Sequence, residues 1–319
     1  MLLEIQHLTK DYRGGVRAND DISFRLAAGQ VLGLFGHNGA GKTTLLNQVV
    51  GLTLPTSGSI RIDGRDPVAD PAMARRVCSL QPQSQVPLDG VTPRQAIEIV
   101  ARIRGADRRR ARERTDVLLT ALDIQQWAGT GAERLSGGVR RLTAFCMAAA
   151  EPGRVVMLDE PTNDVDPVRR RLLWSQIRAL ADAGCAVVVV THNVVEAERT
   201  VDRLVVLDRG RVVADGTPAQ LRGDHRERLR LELVAADQAA ARQLAAALAT
   251  DLADADPPAV AGRRVVVAID AAAAARALAW AQSQRTAGRV DELSVTPISL
   301  EDVYLTLVSP EDGHESLAA

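Results

Sequence analysis

The chain has 319 residues, of which 46% are hydrophobic and 25% are charged, and its formal net charge at pH 7 is −1. These proportions are typical of a soluble globular protein with room for one large domain and a smaller one. A net charge so close to zero provides no basic field, so no nucleic-acid partner is expected.

The first 80 residues predict strands on either side of a glycine-rich segment. Residues 1–26 alternate apolar and polar side chains around a turn at residues 13–15, which indicates a β-rich edge. Residues 31–35 form an apolar run typical of a buried strand, and further strands are expected at residues 59–62 and 77–80.

Residues 36–44 read Gly-His-Asn-Gly-Ala-Gly-Lys-Thr-Thr and lie between the predicted strand and an apolar helix. This pattern predicts a phosphate-binding loop, because glycine N–H groups and a helix N-terminus converge on an anion. Lys42 is one of two lysines in the chain, and a compact ammonium suits the β- and γ-phosphates. The Thr43 hydroxyl is expected to hold Mg²⁺. The predicted nucleotide ligands of the loop are Gly36, Asn38, Gly39, Gly41, Lys42, Thr43 and Thr44.

The middle of the chain changes to helical spacing and then returns to strands. Residues 93–150 are predicted to be a helical insertion. The remaining elements of this part are strands at 155–158, 186–190, 204–207 and 212–214, a helix at 167–183 and a short helix near Pro218.

Two motifs in this part carry chemistry. Residues 136–138, Ser-Gly-Gly, open an apolar helix and would offer unhindered N–H donors to an anion, although alone they are a weak signal. The strand at 155–158 ends in Asp159 and Glu160. Asp159 is placed to hold the hydration shell of Mg²⁺, and Glu160 is placed to activate the attacking water as general base.

The last hundred residues predict a small α+β appendage without a recognisable catalytic motif. A polar, proline-containing loop is expected at 251–262 and a final helix at 300–308. The other predicted elements are strands at 229–233, 265–269 and 290–295, and alanine-rich helices at 238–249 and 271–284.

In this order, the phosphate loop, Leu-Ser-Gly-Gly and Asp-Glu-Pro-Thr resemble the ATP-binding subunit of an ATP-binding-cassette (ABC) transporter over residues 1–222. The resemblance implies an α/β P-loop NTPase cassette, with a RecA-like parallel sheet core, an antiparallel β subdomain and a helical signature subdomain at about 93–150. Residues 223–319 would be the small α+β C-terminal accessory domain. ATP and Mg²⁺ are the implied cofactors.

The resemblance extends to individual residues outside the loop. Gln83 resembles the Q-loop glutamine, a ligand of Mg²⁺ or water, with Gln81 as a competing alignment. His192 resembles the switch histidine that contacts the γ-phosphate, and Tyr12 the aromatic residue that stacks on adenine. The nucleotide contacts implied by the resemblance outside the loop are Tyr12, Ser136, Gly137, Gly138 and the D-loop residue Asp166.

Two positions depart from the family pattern. Val139 replaces the glutamine that usually follows Leu-Ser-Gly-Gly, and Asp164 with Val165 replaces the more usual Gly-Leu. Neither change removes a phosphate ligand, so both sites of a dimer are expected to hydrolyse ATP.

The resemblance implies two chains arranged head to tail, with each ATP between the phosphate loop of one and the Ser-Gly-Gly motif of the other. An integral-membrane permease would dock near residues 83–91 and the helical insertion. Because residues 299–305 resemble the end of drug-export and ABC-2-type cassettes, export of a drug, lipid or other small molecule is the leading hypothesis. The alternatives are an importer ATPase with a regulatory C-terminal domain and a soluble, non-transport ABC ATPase.

The expected location is cytoplasmic and peripheral on the inner face of the cell membrane. No apolar stretch approaches the roughly 20 residues that a membrane-spanning helix needs, and residues 1–4 lack the pattern of a secretory leader. Cys78, Cys146 and Cys185 are isolated in apolar surroundings and are expected to be reduced core residues.

Overall fold

A computed structural model describes residues 1–84, 86–223, 227–252, 255–300 and 302–303. The chain divides into two compact units, Met1–Asp215 and Gly216–Ala319. The domain boundary expected after residue 222 stays a prediction.

The first unit is built on a six-stranded sheet in which five neighbouring strands are parallel. Every residue of its three central strands is buried, as the continuous apolar runs predict. In spatial order the strands are β5 (Cys78–Gln81), β6 (Val155–Asp159), β7 (Ala186–Val190), β3 (Val31–Phe35), β8 (Arg203–Asp208) and β9 (Arg211–Gly216).

An antiparallel sheet of three strands lies at the N-terminal end of this unit. Its middle strand alternates buried Leu3 and Ile5 with more exposed residues, because one face of the sheet covers the core. Those side chains share one apolar cluster with Leu32 and Leu34 of the central sheet. In spatial order the strands are β2 (Arg17–Leu26), β1 (Leu3–Asp11) and β4 (Ser57–Ile62).

Seven helices are described in the first unit. The third starts with a capping box, in which Thr92 and Gln95 bond each other's main-chain N–H groups, and Pro93 follows at the first helical position. The third and fifth helices pack on the fourth and form the predicted helical insertion. The helices are α1 (Lys42–Val49), α2 (Pro71–Val77), α3 (Pro93–Ile103), α4 (Arg108–Ala121), α5 (Gly137–Ala149), α6 (Pro167–Asp182) and α7 (Val194–Ala197).

The second unit is an antiparallel four-stranded sheet whose element order, β-α-β-β-α-β, is that of the ferredoxin-like motif. Leu231 and Leu233 point from one face of its strands into a core that includes Leu244 and Leu248. The strands in spatial order are β11 (Ala259–Ala261), β12 (Arg264–Asp270), β10 (Arg228–Ala235) and β13 (Val290–Pro297). The helices are α8 (Pro218–Arg222), α9 (Gln238–Asp251) and α10 (Ala274–Thr286).

Three elements differ from the sequence-based expectation, and one of them is the short helix α7, which Asn193 caps and which was not predicted. Helix α2 was not predicted, although Asp70 caps it and Pro71 is its first residue, so Val77 ends a helix and strand β5 starts only at Cys78. Strand β11 lies inside the predicted loop 251–262, where it pairs with β12 and gains a hydrogen-bonded neighbour that local sequence does not reveal. The predicted helix at 300–308 falls largely outside the described residues.

Two negative features concern the described part of the chain. None of its helices combines the length and apolar character that crossing a membrane requires. Cys78, Cys146 and Cys185 are separate buried thiols, as predicted, and burial raises the pKa of Cys78 to about 12.

Candidate active site

The predicted phosphate loop and the acidic pair meet at the carboxyl ends of three adjacent parallel strands. Strand β3 ends at Phe35 and leads into the loop, β6 ends at Asp159, and β7 lies between these two strands. Carboxyl ends of neighbouring parallel strands share one edge of a sheet, which is where open α/β sheets bind ligands.

The loop requires glycine at two positions for steric reasons. A Cβ at Gly36 would lie 2.4 Å from the main-chain oxygen of Leu207, and a Cβ at Gly41 would lie 2.1 Å from that of Ala18. Gly41 also has φ 97°, a left-handed conformation that glycine adopts at no steric cost, and it caps helix α1. Glycine is therefore required at both positions, because the loop packs directly against the backbone at Leu207 and at Ala18.

Lys42 lies under the loop with 9% of its surface exposed. Its Nζ donates to the main-chain oxygen of Gly36 at 2.5 Å and of His37 at 2.9 Å. Burial lowers the pKa of Lys42, and the carboxylates of Glu160 and Asp159 oppose that shift. The ammonium group is thus held in the fold of the loop where a phosphate would lie.

Thr43 and Asp159 form a second polar pair at the base of the site. The Thr43 hydroxyl donates to Oδ2 of Asp159 at 3.0 Å. Burial raises the pKa of Asp159, and the hydrogen bond from Thr43 lowers it. A hydroxyl oxygen, a carboxylate and the side chain of Gln83 border the same cavity. Such an oxygen-rich set fits Mg²⁺, which is commonly bound by few protein ligands together with water and phosphate oxygens.

The cavity between these groups has a volume of about 330 Å³. Nine of its ten lining residues are predicted site residues, and the tenth, Ala18, belongs to β2 and was not predicted. The predicted residues that line it are Asn38, Gly39, Gly41, Lys42, Thr43, Thr44, Gln83, Asp159 and Glu160.

Glu160 is held in an uncommon conformation at the edge of the cavity. Its φ is 51° and its N–H donates to the main-chain oxygen of Val190 at 2.9 Å. The side chain is 7% exposed, and its Oε2 lies 3.0 Å from Nδ1 of His192, whose own side chain is 71% exposed. A positive φ in a non-glycine residue carries strain that commonly accompanies a functional position.

The two candidate glutamines of the Q-loop occupy different environments. Gln81 is fully buried at the end of β5, where its Nε2 donates to the main-chain oxygen of Arg141 at 3.4 Å. Gln83 is exposed and lines the cavity, and Nη1 of Arg141 donates to its main-chain oxygen at 2.8 Å. The position of Gln83 favours it over Gln81 as the cavity ligand, and its role stays a prediction.

The remaining predicted residues lie outside the lining of this cavity. Tyr12 is 42% exposed, and Nζ of Lys10 lies 5.0 Å from the centre of its ring. Ser136 caps α5 by accepting from the N–H of Val139 at 3.4 Å. Gly36, Gly137, Gly138, Asp166 and His192 are also absent from the lining of the cavity.

Gly138 has a packing role that its sequence pattern did not reveal. A Cβ at this position would lie 2.4 Å from the main-chain oxygen of Asp164, which has φ 63°. Asp166 follows two residues later and caps α6 through the N–H groups of Val168 and Arg169. The Ser-Gly-Gly motif and the D-loop are therefore in direct contact within one chain.

A buried amide pair supports the phosphate loop and was not predicted. Nδ2 of Asn19 donates to the main-chain oxygen of Gly41 at 3.1 Å, and Oδ1 of Asn19 accepts from Nε2 of Gln48 at 2.6 Å. Both side chains are fully buried. Asn19 is buried only because β2 is irregular between Asn19 and Ile22. The alternation of buried residues from Ile22 onward would place Asp20 inward instead, so the sequence pattern gives no signal for Asn19.

Comparisons with known proteins agree with this geometry. Residues 19–163 match the family described as ABC transporter. A daunorubicin/doxorubicin resistance ATP-binding protein of Streptomyces peucetius is 34% identical over 319 residues, which cover 98% of this chain and 94% of that protein. A Nod factor export ATP-binding protein of Mesorhizobium japonicum is 34% identical over 218 residues, which cover 68% of this chain and 64% of that protein.

Solved structures show the same fold. The structure of an ATP-binding subunit of an ABC transporter superposes with a TM-score of 0.66 at 26% identity, and covers 70% of this chain and 93% of that chain. A dimeric bacterial ABC transporter cassette superposes with a TM-score of 0.62 at 23% identity, over 68% of this chain and 98% of that chain. The chain belongs to the ABC transporter family, in which it is an ATP-binding subunit that hydrolyses ATP.

Proposed function

We propose that this chain energises the export of a small molecule, such as a drug or a lipid, through a partner membrane permease. The observation that carries this proposal is the similarity to a drug-resistance ATP-binding protein, which extends over 98% of the chain and so includes the second unit. The second relative, a Nod factor export ATP-binding protein, is also named for export.

The geometry supports distinct roles for the site residues in binding the phosphates, holding Mg²⁺ and activating water. Lys42 and the loop N–H groups hold the phosphates, and Thr43, Asp159 and Gln83 would hold Mg²⁺, which supplies positive charge against the phosphate oxygens. Glu160 accepts the proton of the attacking water. Nδ1 of His192 lies 3.0 Å from that carboxylate, and the His192 ring would contact the γ-phosphate.

We infer that a second copy of the chain completes each site. Ser136, Gly138 and Asp166 lie outside the lining of the chain's own ATP cavity, although all three are candidate nucleotide contacts. A head-to-tail dimer would bring these residues to the partner's phosphate loop and enclose the γ-phosphate in donors from both chains. The permease would dock at residues 83–91 and the helical insertion, which places the chain at the inner face of the cell membrane.

A substitution of the general base tests the chemical step. Glu160→Gln is expected to lower ATP turnover by about 10²- to 10⁴-fold, because the amide cannot accept a proton, while ATP still binds and holds the dimer together. The measurement is ATPase rate and oligomeric state with ATP in the purified protein. Glu113→Gln, at an exposed position outside the cavity lining, is the matched control. Unchanged turnover in Glu160→Gln would mean that the base is another group.

The direction of transport needs a separate experiment. Inverted membrane vesicles that contain this chain and its permease are expected to accumulate the substrate when ATP is added outside. Accumulation only in right-side-out vesicles loaded with ATP would indicate import and would contradict the proposal.

A further inference from the structure

A second cavity, of about 630 Å³, lies between α6 and α7 with the residues that follow α7, and it shares no lining residue with the ATP cavity. One wall is the face of α6 that carries Arg171, Trp174 and Arg178, at the three- and four-residue spacing of one helix side. The opposite wall carries Val195 and Arg199. Its volume is within the range of small-molecule sites.

Half-buried polar contacts join the two walls to each other. Nη1 of Arg170 donates to Oε1 of Glu196 at 2.6 Å, and Nε1 of Trp174 donates to Oε2 of the same residue at 3.4 Å. Arg170 also donates to the main-chain oxygen of Val165 at 2.9 Å. The cavity is therefore preformed. It lies between α6, which follows Asp166, and α7, which follows His192 and Asn193.

The lining holds four arginines and one glutamate, and two of these arginines are already paired with carboxylates. Arg170 is paired with Glu196, and Arg178 with Asp182 and Asp202. Arg171 and Arg199 are both exposed, and neither forms an ion pair with any residue that the structure describes.

An apolar surface lies beside these two arginines. Val195 is 46% exposed, and Trp174 also lines the cavity, although only 8% of its surface is exposed. A small inorganic anion would use the guanidinium groups and leave this surface in water, whereas an organic anion would cover both. Ligand sites typically combine such an apolar wall with few charged groups that fix orientation.

We propose that this cavity binds an organic anion, whose carboxylate, sulfonate or phosphate group contacts Arg171 and Arg199 while its aromatic or aliphatic body packs on Trp174 and Val195. The site goes beyond ATP-driven export, because none of these residues lines the ATP cavity. It requires no second copy and no permease.

Fluorescence of the full-length chain tests the site with 8-anilinonaphthalene-1-sulfonate, a sulfonate with an aromatic body, in the presence of saturating Mg-ADP. We expect one saturable site. In a background with Trp127→Phe and Trp280→Phe, we expect quenching of the remaining Trp174. The double variant Arg171→Gln/Arg199→Gln is expected to weaken the probe by at least about tenfold, because two charge-assisted contacts are lost.

Three comparisons give the experiment its controls. Arg13→Gln/Arg242→Gln removes the same charge from exposed positions elsewhere and is expected to leave probe affinity unchanged. Lys42→Ala is expected to bind the probe normally, so failure of the ATP-site assignment and failure of this site give different results. The Arg171→Gln/Arg199→Gln variant is expected to keep its basal ATPase rate, which shows that it is folded.

Three results would overturn the proposal. One is equal probe affinity in the Arg171→Gln/Arg199→Gln variant and the wild type. Another is competition between the probe and ATP. The third is a probe affinity that falls as protein concentration rises, because it would mean that a second copy covers the cavity.

Discussion

The ATP cavity and the core of the second unit use their buried residues in opposite ways. The cavity holds a lysine and two carboxylates, one of which belongs to Glu160 at φ 51°, and such groups cost stability when they are buried or strained. The second-unit core consists of leucine, valine, isoleucine and alanine between a sheet and its helices. The ATP cavity thus serves the chemistry, and the core of the second unit serves stability. Substitutions in the two regions are therefore expected to change ATP binding and unfolding separately.

The largest expected effect is on the stability of the second unit. Leu248 is fully buried in its core, and Leu248→Ala is expected to lower the free energy of unfolding by about 2–5 kcal/mol through lost burial and a cavity. ATP affinity is expected to stay unchanged. Denaturant unfolding and nucleotide titration measure both, and Leu278→Ala, at a position 37% exposed, is the control. A loss of ATP affinity in Leu248→Ala would break the separation.

The complementary change is in the phosphate loop. Lys42→Ala is expected to weaken ATP binding by about 10- to 100-fold, because a charge that would lie next to the phosphates is lost. Equilibrium nucleotide binding measures it. Lys42→Arg is also expected to weaken ATP binding although it keeps the charge, since a planar guanidinium does not fit the two carbonyl contacts at 2.5 and 2.9 Å. Normal ATP affinity in both variants would contradict the role of Lys42.

A substitution of Asn19 is expected to change both the stability of the chain and its affinity for ATP. Asn19→Ala leaves the main-chain oxygen of Gly41 and the amide of Gln48 without their buried partner, which is expected to cost about 1–3 kcal/mol of stability. Because Gly41 belongs to the phosphate loop, ATP affinity is expected to fall as well. Thermal unfolding with and without nucleotide measures both quantities. Retained ATP affinity would mean that the loop keeps its shape without the amide.

The smallest effect is a dependence of stability on pH that originates at Asp159. Burial raises the pKa of Asp159 in the folded chain, so the folded state binds its proton more tightly than the unfolded state, and stability falls as pH rises through that range. Asp159→Asn is therefore expected to be more stable than the wild type near neutral pH. The advantage is expected to shrink as pH falls below the pKa of the folded state. Unfolding midpoints across pH measure it, and an advantage independent of pH would contradict this origin.

The elements that sequence predicted well are those whose pattern reports local backbone geometry. The loop glycines reflect one tight turn, and the apolar strand before Asp159 places its carboxylate at a sheet edge. What sequence did not predict depends on distant segments. The amide pair of Asn19 and Gln48 joins β2 to α1, and β11 exists through its pairing with β12.

The second-unit core and the arginine-lined cavity illustrate the same limit in different ways. Alternation along β10 and the spacing of α9 were sufficient to predict a packed α+β unit. The sequence of α6 alone does not predict the arginine-lined cavity, because the cavity depends on the position of α7, a separate element. Sequence spacing describes one helix side but not the element that faces it.

The contact between Gly138 and Asp164 has a consequence for motion. A Cβ at Gly138 would lie 2.4 Å from a carbonyl oxygen, so the start of α5 and the segment before α6 are in direct main-chain contact at this point. Any swing of the helical insertion is therefore transmitted directly to the segment that precedes Asp166. Even Gly138→Ala would push these two segments apart, because the added methyl group has no space beside the main-chain oxygen of Asp164.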